Sequence, residues 1–348
     1  MLGDIVSSEA VFVRVATFDY VDNGYSDFKT SVSTRSGTVY VGANDGMLHA
    51  FNADDGVERW AYIPSLVLPG LFQLADRNYA NTHRFYVDGT PVVGDVCVSD
   101  CSGTTPVWKT ILVSGLNGGG RGFFALDITD PLHPKALWEF TADTTKGTGF
   151  ETDVDLGFSY GNPIITKKTD GTWVVLVTSG YNNVSPGSGE GILFILDAVT
   201  GKKLTSPSAS AGKISTGVGS SASTVPGCAT APCPAGLARI SGWADYPSSD
   251  NTTLRVYGGD LYGNLWRFDI NDTMGNSGFD AQHLATFQTS AAQTPPNARQ
   301  PITTAPQLGS VGTASVVFVG TGSLLGLADR TVTTPQSFYA IKDPLDST

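Results

Sequence analysis

Charge is scarce in this sequence. Of its 348 residues only 15% are Asp, Glu, Lys or Arg, where roughly 25% is usual. Basic residues are the scarcer kind: 21 Lys and Arg face 32 Asp and Glu, a net charge of −11. A nucleic-acid-binding chain carries a basic excess, so no nucleic-acid partner is expected. There are three Met, four His and four Cys. No apolar run reaches the ~18 residues that a membrane-spanning helix needs, so no membrane insertion is expected. No amphipathic segment of three helical turns stands out, which excludes a coiled coil or bundle. The best helical stretch, Ser65 to Tyr79, is interrupted by Pro69-Gly70. The first residues carry Asp4 and Glu9 and lack the basic and apolar regions of a signal peptide, as in a part cut from a longer protein.

What the sequence does hold is glycine and apolar residues. Glycine accounts for 41 positions and apolar residues for 41% of the chain, with six Trp. That apolar content excludes a disordered acidic tail. Glycine without a three-residue period excludes collagen. A Gly-punctuated all-β protein with a substantial core remains.

The cysteines form two local pairs, Cys97 with Cys101 and Cys228 with Cys233. Short polar loops closed by cysteines suit disulfides in an oxidising compartment. Zinc is the competing reading, but zinc ribbons prefer two-residue spacers and rarely hold their pairs about 130 residues apart without His nearby.

A repeat runs through the chain. An apolar run ends in Gly, a polar turn follows, and a second apolar run ends in Asp or Asn. The copies begin at Val39, Ile111, Val175, Val256 and Val316, and each reads as a hairpin of strands buried on both faces. Asn44-Asp45-Gly46 is the strongest of the turns. A glycine ending the first strand permits a positive φ or a close approach of backbone. Flanking strands are expected at Pro91–Asp95, Asn162–Ile165 and Pro301–Pro306 before the hairpins. Others are expected after them, at Asp55–Trp60, Ala136–Phe140 and Thr200–Leu204.

Four antiparallel strands repeated in this way predict a β-propeller. The whole chain, 1–348, reads as one domain of five four-stranded blades, approximately 1–64, 88–141, 156–206, 236–290 and 300–348. Insertions fall at 65–87 and 206–235. The fifth unit lacks a last strand. Trp60, Trp138, Trp243 and Trp266 are expected to wedge between blades.

Several strings carry a resemblance. The repeat at 42–51 with Gly56 and Trp60 is similar to quinoprotein-type propellers. Leu2–Val6, His83–Gly89, Gly118–Asp127 and, most specifically, Tyr257–Asp269 resemble the C-terminal propeller of the PilY1/PilC family of type IV pilus assembly and tip-adhesin proteins. The resemblance covers essentially the whole chain. It implies a modified seven-bladed propeller, of which about two blades lie beyond this sequence. It also implies a non-enzymatic role in pilus biogenesis, twitching motility and surface adhesion through protein–protein contacts. The implied place is the periplasm or cell surface, at the pilus tip or the outer membrane. The implied partners are pilins, minor pilins and a host or abiotic surface.

The resemblance further implies a calcium loop just before Tyr257, with acids at alternate positions. Calcium wants six to eight oxygens. The candidate ligands here are Asp245, Asp250 and Asn251. The segment departs from the pattern: its two carboxylates lie five residues apart, Leu254 stands where an acid should close the loop, and no Gly makes the sharp turn. Read from its own residues, it is a loop of Asx-type turns, and no cofactor is expected.

Other constellations read as structure. Gly115–Gly122 has no Walker Lys-Ser/Thr and reads as a hairpin turn. His49, His83, His133 and His283 have no ligand-spaced partners. Asp4, Asp88, Asp95 and Asp260 recur beside Gly at strand ends, as turn carboxylates first and channel residues second. Two alternative functions stay open. A quinoprotein dehydrogenase would need a bound quinone, for which no vicinal Cys pair or Asp-base cluster is present. A periplasmic scaffold for outer-membrane protein assembly shares the repeat but lacks the long insertions.

Overall fold

Among the described residues five sheets follow one another along the chain, and each is built from consecutive strands. The computed structural model describes residues 2–205, 211–220, 233–273, 279–289 and 299–345. The first sheet holds β1 (Val11–Val13), β2 (Thr38–Ala43), β3 (Met47–Asn52) and β4 (Glu58–Tyr62). The second holds β5 (Val92–Ser99), β6 (Val107–Gly115), β7 (Gly122–Asp127) and β8 (Lys135–Thr141), with β9 (Phe150–Thr152) added in parallel to β8. The third holds β10 (Ile164–Lys167), β11 (Trp173–Thr178), β12 (Ile192–Asp197) and β13 (Lys213–Ser215). The fourth holds β14 (Ile240–Trp243), β15 (Arg255–Gly259), β16 (Asn264–Phe268) and β17 (Ala281–Thr286). The fifth is three-stranded: β18 (Gln307–Val311), β19 (Ala314–Gly320) and β20 (Phe338–Lys342).

The core explains why the strands read as unbroken apolar runs. Successive side chains of a strand point to opposite faces of its sheet. In β11, Val175 and Val177 join the core shared with the second sheet. Val174 and Leu176 join the core shared with the fourth. In β12, Phe194 faces one way and Ile195 the other. Likewise Leu112, Phe124 and Leu126 face the first sheet, and Tyr257 and Leu265 face the fifth. The second, third and fourth sheets are thus each sandwiched in chain order between their neighbours, with the first and fifth at the two ends, which is the β-propeller arrangement. The four tryptophans lie between sheets. Trp60 donates its indole N–H to the Pro131 carbonyl at 2.8 Å and Trp138 to that of Ala198 at 3.0 Å. Trp266 packs between the third and fourth sheets, and Trp243 against the core of the fourth and fifth.

The structure corrects four local expectations. The fourth strand of the third sheet is Lys213–Ser215, not Thr200–Leu204. Gly201 turns the chain at φ +68° against the Trp138 ring, so Thr200–Leu204 leaves only an isolated bridge, Leu196 to Lys203. In the fifth sheet the first strand is Gln307–Val311, beyond Pro301–Pro306. A proline has no N–H to give a ladder, and Ile302 makes only an isolated bridge to Gly322. Ser65–Tyr79 forms 3-10 turns at Leu68–Ala75 and Tyr79–Asn81 rather than an α-helix. An α-helix forms instead at Tyr25–Ser31, α1, in the connection from β1 to β2. Seven residues are too few to show helical periodicity in sequence. Tertiary packing stabilises it: Tyr25 and Phe28 are buried against Trp108.

Candidate functional site

The acidic loop before Tyr257 draws three distant parts of the chain together. Its own backbone folds tightly, because the N–H groups of Ser249, Asp250 and Asn251 all donate to the Tyr246 carbonyl at 2.8–3.2 Å. Asn251 then takes a left-handed φ of +53°. Beyond it the loop runs beside β10: Lys167 N–H donates to the Asn251 carbonyl at 3.0 Å, and Thr253 N–H to the Lys167 carbonyl at 2.9 Å. On its other side lies the segment leading into α1, where Asp19 and Val21 donate to the Ser248 and Ser249 carbonyls at 2.9 and 2.8 Å.

The three expected calcium ligands are spent on protein partners. Asp245 accepts the Trp243 indole N–H at 2.8 Å. Asn251 donates its amide to the Tyr20 hydroxyl at 3.1 Å and to the Ile165 carbonyl at 3.2 Å. Asp250 accepts from Thr252 at 2.8 Å and pairs with the Lys167 ammonium at 2.8 Å. Burial pushes the Asp250 carboxyl up, but the bonds from Lys167 and Thr252 outweigh it and hold the group below its ordinary value. Lys167 also pairs with Asp22 and lies over the Trp173 ring. A hard cation wants an unshared oxygen cage, and here Asp250 shares the Lys167 ammonium with Asp22 while Asp245 and Asn251 turn to other partners. Among the described residues no three His, Cys, Asp or Glu side chains are grouped to hold a metal. The residues present do not fit calcium.

The four strand-end carboxylates are hydrogen-bond hubs. Asp260 is fully buried and accepts from the backbone N–H groups of Tyr262 and Asn264, the Asn264 amide and the Trp266 indole, each at 2.9 Å. Burial nevertheless pushes its pKa up. Asp95 accepts from the Tyr25 and Thr110 hydroxyls, both at 2.7 Å, and burial raises it too. Asp88 accepts Ser7 N–H at 3.0 Å and Asp4 accepts the Asn44 amide at 3.1 Å. His49 is buried between Glu58 at 2.6 Å and Asp45 at 3.1 Å, and His83 contacts Asp4 at 3.0 Å. His133 pairs with Asp130 and His283 with Thr286, both at 2.9 Å.

Cys97, near the end of β5, and Cys101, in the turn to β6, form a disulfide. Cys233 is disulfide-bonded, and Cys228 lies outside the described residues. Sequence reasoning missed two features. One is Lys167, which ends β10 as an ordinary-looking surface lysine. The other is a buried network between the fourth and fifth sheets. There Asp343 pairs with Arg267 at 2.5 Å and accepts the Tyr257 hydroxyl at 2.5 Å. Arg255 donates to that hydroxyl at 2.6 Å and to Ser315 at 2.8 Å. Arg267 inside the otherwise apolar run Leu265–Phe268 was the available signal, because a charge there must find a partner.

Comparison with known proteins places this geometry. The model of the PilY1 beta-propeller domain matches residues 2–347. The type IV pilus biogenesis factor PilY1 of Pseudomonas aeruginosa is 34% identical over 369 residues, covering 99% of this chain and 28% of that protein. A PilY1 homolog of Xylella fastidiosa is 32% identical, covering 99% of this chain and 25% of that protein. The crystal structure of the P. aeruginosa PilY1 C-terminal domain superimposes with a TM-score of 0.69 at 33% identity, covering 96% of this chain and 64% of that one. The chain therefore spans about a quarter of the length of the relatives it matches, and it belongs to the PilY1 β-propeller family.

Proposed function

We propose that this propeller acts in type IV pilus biogenesis, and through it in twitching motility and surface adhesion, by protein–protein contact and without catalysis. The observation that carries the reading is the family match from residue 2 to residue 347, shared with relatives named as pilus biogenesis factors. The internal chemistry supports it. The buried carboxylates and His49 are held in hydrogen bonds that shape turns and join sheets, as at Asp260 and Asp95. Partners would be pilins and minor pilins, with a host or abiotic surface as the adhesive target. The place would be the periplasm or cell surface, at the pilus tip or the outer membrane. The paired Cys97 and Cys101 suit such an oxidising compartment.

The test is genetic and biochemical. Removing the segment corresponding to residues 2–347 from the gene is expected to abolish surface pili and twitching, with restoration by the intact gene. The purified chain is expected to bind pilins in pull-down and surfaces in an adhesion assay. Unchanged piliation and twitching, together with no pilin or surface binding, would sink the reading.

A further inference from the structure

The acidic loop is held by a lysine from the third sheet. Its carboxylates do not stand around open space. Lys167, whose side chain is only 9% exposed, reaches from the end of β10 to Asp250 on one side and Asp22 on the other. It therefore ties together the third sheet, the loop of the fourth sheet and the segment leading into α1. The backbone bonds of Lys167 to Asn251 and of Asp19 and Val21 to the loop converge on the same place. Tyr20, between these groups, is buried against Tyr25 and Trp173 at ring distances of 4.7 and 5.6 Å.

We propose that Lys167 is the resident cation of this loop, so that segment 19–22 docks on loop 246–251 without a divalent metal. Two facing carboxylates repel, and a positive charge between them turns that repulsion into a bridge. In a loop with many free oxygens a divalent ion could supply this charge. Here one oxygen each of Asp245 and Asp250 is engaged by the protein, and the ammonium brings three donors of its own. One oxygen, Asp22 Oδ2, is buried with no hydrogen-bond partner. Taking the ammonium away would leave that carboxylate and the more exposed Asp250 without their shared counter-charge, and the cost of an unpaired buried charge would fall mainly on Asp22.

The experiment is thermal unfolding of the full chain in EDTA and in excess calcium chloride, for the native sequence and for Lys167→Met. A site filled a hundredfold above its Kd would raise the midpoint by about 4 °C. The native chain is expected to show no such rise. Lys167→Met is expected to unfold about 5 °C or more lower in EDTA, and calcium is expected to recover part of the loss by replacing the missing charge. If Lys167→Met does not fold, Asp250→Asn serves instead: it is expected to lower the midpoint equally in EDTA and in calcium, and Lys167→Arg to stay calcium-independent. The proposal is overturned if calcium raises the midpoint of the native chain and Asp250→Asn removes that rise. It is also overturned if Lys167→Met matches the native chain in both conditions.

Discussion

The third and fifth sheets are built from the same hairpin repeat and differ in what covers them. In the third, every residue of β11 is buried, as is all of β12 but its final Asp197. In the fifth, β20 alternates exposed and half-buried residues along its whole length. Val317 and Val319 face the fourth sheet. On the opposite face Phe318 and Phe338 stack on each other, with Phe338 71% exposed and no further sheet against it among the described residues. The difference teaches how the repeat works. The apolar run belongs to both faces of a strand, and each face becomes core only when the neighbouring sheet is present.

The largest test of this contrast is a pair of phenylalanines. Phe194 is wholly buried and meets Phe140 edge-on at 5.1 Å across the second and third sheets. Truncation to Ala should cost about 3–5 kcal/mol, from lost transfer energy and the cavity left behind. Phe338→Ala, on the open face, should stay within about 0.5 kcal/mol of the native chain. Urea unfolding of both variants checks this. Similar losses at the two positions would mean that the open face of the fifth sheet is not open in solution.

A second test concerns what joins the fifth sheet to the fourth. The second and third sheets share an apolar core, and the ion pairs that also join them, Lys203 and Lys213 with Asp153 and Lys213 with Asp155, use partly exposed lysines. Between the fourth and fifth, by contrast, the Arg267–Asp343 pair is fully buried with Tyr257 and Arg255. Burying an ion pair is weak evidence for stability, but removing one partner is costly because the other charge stays behind. Asp343→Asn is therefore expected to cost about 3 kcal/mol. The loss should appear first as faster hydrogen exchange in β18–β20, with the third sheet unchanged, since elements open in units. Uniform exchange across all five sheets would show that the network does not act locally.

Much of this was legible in the sequence, and the exceptions have physical reasons. Period and punctuation gave the five hairpins, because a strand buried on both faces writes itself as a continuous apolar run between glycines. The tryptophan wedges followed from size. The edge strands at 213–215 and 307–311 did not follow, because an edge strand has weak burial and hence weak pattern. The 200–204 stretch misled by sitting at the expected spacing while Gly201 turned it aside. Sequence spacing also drew attention to Asp245, Asp250 and Asn251. It said nothing of Lys167 or Asp22, which reach the loop from 78 or more residues away in sequence and are brought there only by the stacking of sheets and the excursion into α1.

The smallest expected effect uses the glycines that end the first strand of each hairpin. Gly42 closes β2 where the chain crossing toward the second sheet passes directly against it. A Cβ there would sit 2.4 Å from the Val87 carbonyl oxygen. Gly115 stands the same way under Ser159, at 2.7 Å from its carbonyl oxygen, and Gly259 under the Ile302 side chain at 2.3 Å. Gly320 occupies the matching place in the fifth sheet, and a Cβ there would meet nothing within 4 Å. At Gly42, Gly115 and Gly259 the glycine is thus required by the segment that follows it rather than by the strand's own conformation, whereas Gly180 of the third sheet also takes a left-handed φ of +63°. Gly42→Ala must push backbone and should cost about 1–3 kcal/mol. Gly320→Ala should be neutral or stabilising by up to about 1 kcal/mol, since alanine in a strand restricts the unfolded chain without a clash. Chemical denaturation of the two variants side by side decides it: equal destabilisation would mean that Gly320 is covered by chain as Gly42 is, and the contrast between the covered and the open sheet would fall.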